Sequence, residues 1–222
     1  MLIPMLSFGQ QMEKVFSIDG NEMYYLMYTP EGYDSSSDSW PLVVFLHGSG
    51  ERGKDYELLR THGPAKNADN PQENDLPFLI LSPQLDSKFR GWQVEHLSAL
   101  LDNTIEDYRV DKSRIYLTGL SMGGYGTWAW AFQEPERFAA LAPICGGGDP
   151  SKVDIIKDVP VWVFHGARDQ VVTLDKSQKM VDALGRIDGD VRFTIYPTLG
   201  HVSWDEAYDS GILYQWFMNQ RR

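Results

Sequence analysis

Cysteine is nearly absent from this sequence, since Cys145 is the only one among 222 residues. One thiol excludes an internal disulfide and any metal site that needs several cysteines. Because Cys145 directly follows the apolar residues 141–144, we predict a buried structural thiol and not a reactive one. We expect neither a metal nor another cofactor.

Long hydrophobic runs are also missing. No apolar run approaches the roughly 18 residues that a membrane helix needs, which predicts a soluble protein without membrane insertion. The segment Met1–Leu6 is apolar but short, and it lacks the basic start and the cleavage site of a signal peptide. The compartment stays open, a secreted parent form included.

Basic residues are too few to favour a polyanionic partner. The chain has 31 acidic and 20 basic residues, a net charge of −11, which repels nucleic acids and anionic membrane surfaces. We therefore expect no nucleic acid partner and an uncharged substrate. The oligomeric state stays open.

The order of the predicted elements indicates the fold. Residues 14–18 and 23–28 flank the turn residues Asp19–Asn21 and predict an antiparallel hairpin. Further strands are predicted at Leu42–Leu46, Phe78–Leu81, Ile115–Leu117, Val161–Phe164 and Val191–Tyr196. Helices are predicted from three- and four-residue apolar spacing at His96–Tyr108, Ser177–Leu184 and Tyr208–Phe217.

Alternating strands and helices after a hairpin predict an α/β fold: a three-layer sandwich with a mostly parallel central sheet. The chain shows no repeat, no linker and no inserted cap, so we expect one domain over residues 1–222. In such sheets reactive groups collect beyond the carboxyl ends of the strands. Candidate residues are therefore judged by their distance from a strand end.

The segment Gly119–Gly123 has the pattern G-x-S-x-G, with an apolar strand before it and a helix-prone segment after it. A sharp strand-to-helix turn of this kind holds the serine hydroxyl above the sheet on a strained backbone. We predict that Ser121 is a nucleophile. The alternative is a glycine-rich turn without a catalytic role.

A serine nucleophile needs a base, and five histidines are available. His201 follows the last strand and precedes the last helix, a position from which it can reach Ser121, so we predict it as the base. His47 and His165 each precede a glycine at a strand end, where turn packing explains them. His62 and His96 fall in predicted helices.

The base needs an acid that fixes its tautomer. Asp169 follows the strand Val161–Phe164 and gives the chain order Ser, Asp, His that this architecture predicts. Asp149 also lies at a strand end and is the rival. Asp175 and Asp205 are predicted to begin helices, where a carboxylate complements the positive end of the dipole.

Acyl transfer also requires donors for the tetrahedral oxyanion. We predict the backbone N–H of Met122, next to the nucleophile, as one oxyanion-hole donor. The second is predicted in the glycine-rich loop His47–Gly53, at the N–H of Ser49, with the N–H of Gly50 as the alternative donor. The alternative is a flexible loop without a role.

These motifs together resemble the esterase branch of the α/β-hydrolases, which groups carboxylesterases, phospholipase/carboxylesterase-like proteins, feruloyl esterases and polyhydroxybutyrate-depolymerase-like enzymes. The resemblance is carried by Leu46–Gly53, His62–Pro64, Leu81–Gln84, Gly119–Gly126, His165–Gly166 with Asp169, and Gly200–His201 with Ser203–Trp204. It implies Ser121, Asp169 and His201 as nucleophile, acid and base. Val202 and Thr173 depart from the pattern, where aspartate and proline are common.

Two tryptophans are predicted to contact substrate: Trp92, after the strand Phe78–Leu81, and Trp204, three residues past His201. Ordinary packing is the alternative for both. Trp128 and Trp130 are predicted to pack the nucleophile helix onto the sheet. Without a cap, an open cleft would suit short acyl groups or esters attached to something bulky.

The sequence therefore predicts a serine carboxylic-ester hydrolase that acts through an acyl-enzyme on short-chain or aryl esters of the feruloyl or acetyl type. Its substrate would be a small-molecule or polymer-attached ester. Two alternatives stay open: a serine peptidase that uses the same residues, and a binding module that keeps this fold without catalysis.

Overall fold

A computed structural model describes residues 9–70 and 76–222, so the prediction for Met1–Leu6 lies outside the described residues. Within them, eight strands form one sheet. The strands are β1 (Gln10–Ile18), β2 (Asn21–Thr29), β3 (Trp40–Leu46), β4 (Leu79–Pro83), β5 (Val110–Leu120), β6 (Ala140–Ile144), β7 (Val161–Gly166) and β8 (Val191–Tyr196). The single domain over the whole chain stays a prediction.

The sheet has the strand order β1-β2-β4-β3-β5-β6-β7-β8. All neighbours from β4 to β8 pair in parallel. The hairpin strands pair antiparallel, and β2 joins the rest of the sheet through antiparallel pairing with β4. Asp19 and Gly20 form the hairpin turn with φ angles of 49° and 71°, as two-residue turns between twisted strands require. The predicted sheet and hairpin are confirmed.

Helices cover both faces of the sheet and complete the predicted three layers. They are α1 (Tyr56–Leu59), α2 (Gly63–Ala68), α3 (Val94–Asp107), α4 (Met122–Ala131), α5 (Asp175–Arg186), α6 (Trp204–Asp209) and α7 (Ile212–Met218). Alternate residues of β3 point into two separate apolar cores, as the period of two along a strand dictates. Helices α3, α4 and α5 cover one core, and α1, α2, α6 and α7 cover the other.

One predicted helix is wrong, because the segment Tyr208–Phe217 is not continuous. Helix α6 ends at Asp209 and α7 begins at Ile212. Between them Gly211 has a φ of 71°, a left-handed conformation that ends a helix and that glycine adopts without steric cost. His62 also differs from its prediction, since it precedes the first residue of α2 as the N-cap.

The predicted buried residues are confirmed. Cys145, Trp128 and Trp130 have no exposed surface. Both tryptophans belong to the core that α4 shares with the sheet, and the ring of Trp130 meets that of Phe138 edge to face. Across the described ranges, no helix combines the length and the apolar character that a membrane crossing requires.

The start of α4 lies against the end of β3 with no room for a side chain. A Cβ atom on Gly123 would come within 1.8 Å of the carbonyl oxygen of Leu46 and 2.7 Å of that of His47. Neither neighbour is a flexible side chain that could turn away. Gly185, inside α5, would meet no atom within 4 Å.

We predict that Gly123→Ala lowers the free energy of unfolding by at least about 3 kcal/mol, because backbone must move to relieve the overlap. The matched control Gly185→Ala should raise it by about 0.5–1 kcal/mol through helix propensity. Urea unfolding of both variants measures the difference. Wild-type stability in Gly123→Ala would contradict the close approach.

Candidate active site

Ser121 lies in the turn between the last residue of β5 and the first residue of α4. Its backbone has φ 52° and ψ −115°, a conformation that side-chain-bearing residues rarely adopt. The Ser121 N–H donates to the carbonyl of Ile144 at 3.0 Å, which fixes the turn to β6. The strained turn that the G-x-S-x-G pattern predicts is therefore present.

Three loops bring the predicted nucleophile, base and acid into one hydrogen-bonded chain. The Ser121 hydroxyl lies 2.9 Å from Nε2 of His201, and Nδ1 of His201 lies 2.7 Å from Oδ2 of Asp169. A carboxylate only accepts, so Nδ1 of His201 carries the proton and Nε2 is free to accept from the serine. Asp149, the rival acid, instead caps a 3₁₀ helix by accepting from the N–H of Ser151.

The carboxylate of Asp169 is buried but well supplied with donors. Its Oδ1 accepts from the backbone N–H groups of Val171 and Val172, both at 2.9 Å. Burial by itself raises the pKa of Asp169, but these bonds and the one from His201 outweigh it and hold the pKa below its ordinary value. The group is therefore an anion at neutral pH, as the partner of an imidazole that gains a proton must be.

The loop after β3 is tied to the loop after β4 and is not free to move by itself. The Arg52 guanidinium donates to the carbonyls of Ser49 and Phe89, at 3.0 and 3.2 Å. Gln84 donates to the carbonyl of Glu51 at 2.9 Å, and the N–H of Leu85 donates to Nε2 of His47 at 3.0 Å. This loop carries Ser49, one predicted oxyanion-hole donor.

Ser49 and Met122 both line a cavity that also exposes Ser121. Met122 is the first residue of α4, and the first N–H groups of a helix have no partner inside it. The N–H of Met122 therefore has no acceptor within α4. The cavity brings together the residue types that the prediction requires, and the roles of Ser49 and Met122 stay predictions.

The cavity has a volume of about 540 Å³ and mostly apolar walls. It is lined by Ser49, Arg52, Arg90, Gly91, Trp92, Ser121, Met122, Tyr125, Gly126 and Ala129. Trp92 packs on the first turns of α4, where a Cβ on Gly126 would come within 2.5 Å of its Cδ1. The wall has two arginines and no acidic residue, the opposite of the charge balance of the whole chain.

Trp204, the second predicted substrate contact, is not among the residues that line this cavity. It is buried, and its ring meets those of His201 and His62 edge to face, with centroids 5.2 and 5.4 Å apart. It is the first residue of α6 and packs on His201, three residues before it in the chain. The structure thus brings Trp92, but not Trp204, to the wall beside Ser121.

Two histidines attributed to turn packing have defined partners. His47 is buried and hydrogen-bonds the carbonyl of Gly48 through Nδ1. His165 is also buried, and its Nε2 lies 3.2 Å from Oδ2 of Asp169. Sequence reasoning missed this contact with the predicted acid. The four-residue separation of His165 and Asp169 was the available signal.

Cys145, Asp169 and His201 form the one group within the described chain whose ligand atoms could surround a metal, all within 4.8 Å. Asp169 and His201 are hydrogen-bonded to each other. Burial raises the pKa of the Cys145 thiol to about 12, and a metal ligand must be a thiolate. The donor set does not favour a metal.

Comparison with known proteins gives the relatives of this chain. The model of the dienelactone hydrolase family matches residues 62–210, more than half of the chain. A bifunctional acetylxylan esterase/xylanase of Neocallimastix patriciarum is 27% identical over 152 residues, which cover 66% of this chain and 21% of that protein. A probable feruloyl esterase C of Aspergillus terreus is 29% identical over 182 residues, which cover 79% and 64%.

Solved structures include a crystal structure of a thermostable esterase with a TM-score of 0.86 and 35% sequence identity. That alignment covers 96% of this chain and 63% of the esterase. The chain therefore spans between about one fifth and just under two thirds of the length of these relatives.

Burial lowers the pKa of His47 from its ordinary 6.5 to about 4. As the pH falls from 6.5 to 4, the unfolded chain gains a proton that the folded chain does not, so stability present above pH 6.5 is lost. We predict that this lowers the free energy of unfolding by about 3 kcal/mol, from about 1.4 kcal/mol per pKa unit. Urea unfolding between pH 7.5 and 4 measures the loss, and His47→Gln should reduce it. An equal loss in the variant would contradict the assignment to His47.

Proposed function

Because the chain belongs to the dienelactone hydrolase family, we propose that it is a serine carboxylic-ester hydrolase that works through an acyl-enzyme. One observation carries the proposal: the hydrogen-bonded chain from Asp169 through His201 to Ser121 ends at a cavity. The esterases among its relatives support the same activity. The spacing of Asp169, His201 and Ser121 supports a reaction by acyl transfer.

The reaction starts when Oγ of Ser121 attacks the ester carbonyl and its proton passes to Nε2 of His201. The carbonyl oxygen becomes an oxyanion, which accepts from the N–H groups of Ser49 and Met122. His201 then returns the proton to the departing alcohol, and the acyl group stays on Ser121. Asp169 remains an anion throughout and stabilises the imidazolium.

The second half of the reaction uses the same groups. A water molecule gives a proton to His201 and attacks the acyl-enzyme, the oxyanion forms at the same two N–H groups, and the acid leaves as Ser121 regains its proton. Because the strained backbone of Ser121 and the tied loop of Ser49 are set before substrate arrives, little reorganisation is needed at the transition state.

The cavity favours short-chain or aryl acyl groups of the acetyl or feruloyl type. Its walls are apolar at Trp92, Met122 and Ala129, and the indole of Trp92 offers a flat surface to an aromatic acid. It opens to solvent without a covering segment among its lining residues, so the alcohol side of the ester can be a small molecule or a polymer. Trp204 is assigned to packing on His201.

We predict that Ser121→Ala lowers kcat/KM for p-nitrophenyl acetate by about 10⁴-fold or more, since the variant has no nucleophile to form the acyl-enzyme. Ser87→Ala, at an exposed serine outside the cavity lining, is the matched control and should keep wild-type activity. Mass spectrometry after treatment with an active-site phosphonate should find one label, on Ser121.

Two results would favour the alternatives. Faster cleavage of a peptide anilide than of p-nitrophenyl acetate would indicate a peptidase. Absence of both labelling and turnover in the folded wild type would indicate a binding module.

We predict that Trp92→Ala lowers kcat/KM for methyl ferulate about tenfold, within the range for losing one apolar contact surface, and changes p-nitrophenyl acetate much less. Trp204→Ala is the matched tryptophan outside the cavity wall. It contacts the His201 ring and should lower both activities by a similar factor. The assignment of this cavity to short-chain or aryl acyl groups would be contradicted by equal losses on both esters in Trp92→Ala. A wild-type preference for long-chain acyl esters would also contradict it.

A further inference from the structure

His165 is a buried imidazole beside the predicted acid that the proposed reaction does not use. It lies at the carboxyl end of β7 and has no exposed surface. Its Nε2 is 2.8 Å from the carbonyl oxygen of Val172 and 3.2 Å from Oδ2 of Asp169. Asp169 Oδ2 therefore has an imidazole nitrogen on each side, one from His165 and one from His201.

The partners of His165 fix which nitrogen carries the proton. A carbonyl and a carboxylate can only accept, so Nε2 of His165 must be the donor, with Val172 as its main acceptor and the Asp169 carboxylate close to the same N–H. The acceptor belongs to a turn whose own N–H groups, at Val171 and Val172, donate to Oδ1 of Asp169. His165 thus holds the turn that holds the carboxylate.

The other side of the ring is anchored as well. Nδ1 of His165 lies 2.7 Å from the hydroxyl oxygen of Ser177, in α5, and that oxygen also lies 2.7 Å from the carbonyl oxygen of Gly146. With the His165 proton on Nε2, the Ser177 hydroxyl donates to Nδ1. The backbone of Gly146 packs against that of Gly124 in the nucleophile helix, where a Cβ on Gly146 would come within 2.5 Å. The orientation of the His165 ring is therefore fixed relative to α4 and α5.

We propose that His165 is a positioning residue for Asp169. It fastens the 169–172 turn through Val172 and presents an N–H dipole to Oδ2, so that the carboxylate faces His201 in one orientation. The inference rests on the proposed function, since it assigns a role within the same reaction. His165 does not line the cavity, so its loss should affect turnover and not substrate binding.

Two amide replacements separate this role from simple space filling. In His165→Gln the amide nitrogen can reach the position of Nε2, whereas in His165→Asn it reaches only that of Nδ1. We expect the asparagine variant to lose about 10- to 100-fold in kcat, the factor for a buried charged group that loses hydrogen-bond support. The glutamine variant should recover most of this loss, and KM for p-nitrophenyl acetate should change little in both.

Equal kcat values for the two variants would overturn the proposal, as would a loss confined to KM. Thermal unfolding and the stoichiometry of phosphonate labelling check that equal amounts of folded protein are compared. If neither variant folds, Ser177→Ala tests the role instead, because it removes the partner of Nδ1 and leaves the proton on Nε2. A reduced kcat with an unchanged KM would support the role. An unchanged kcat would refute it. A wild type that hydrolyses no ester refutes the proposed function itself, whereas an active wild type with equal variants refutes only this role.

Discussion

The contact between the start of α4 and the end of β3 is the constraint on which the candidate site depends. Gly123 leaves no space for a side chain beside the carbonyl of Leu46, and a Cβ on Gly119 would come within 2.4 Å of the carbonyl of Gly123. These approaches keep Ser121 in a conformation with positive φ, which residues with a side chain rarely adopt. The strain is local, and the packed strand and helix on either side maintain it.

Buried polar groups set the geometry around the serine. Asp169 is held by two backbone N–H groups and the His201 imidazole, with Nε2 of His165 3.2 Å away, and His47 links two loops through its ring nitrogens. In a low-dielectric interior, a buried polar group without a hydrogen-bond partner raises the free energy of the folded state. The arrangement in which these groups are paired is therefore strongly preferred over arrangements that leave one of them unpaired. The loops that converge on Ser121 therefore have one arrangement before any substrate is present.

Local charge differs from total charge in this molecule. The net charge of −11 describes the whole surface, but the wall beside Ser121 carries Arg52 and Arg90 and no acid. Arg52 also gives two of its donors to backbone carbonyls, which makes it a structural tie between loops as well as a cation. The uncharged substrate expected from composition stays a prediction, since a sum over the chain does not determine the field in one cavity.

The sequence by itself determined most of the strands and their order. Continuous apolar runs specify buried parallel strands, Asp19-Gly20 specifies a hairpin turn, and the glycines around Ser121 specify a strained strand-to-helix turn, because each of these signals acts over a few neighbouring residues. Chain order allowed both Asp149 and Asp169 as the acid, and the hydrogen bond between Asp169 and His201 distinguishes them. Tertiary structure decided what depends on distant partners. The break at Gly211, the packing of Trp204 on His201 and the approach of His165 to Asp169 follow from how helices and loops pack on the sheet. The four-residue spacing of His165 and Asp169 permits their contact but does not specify it.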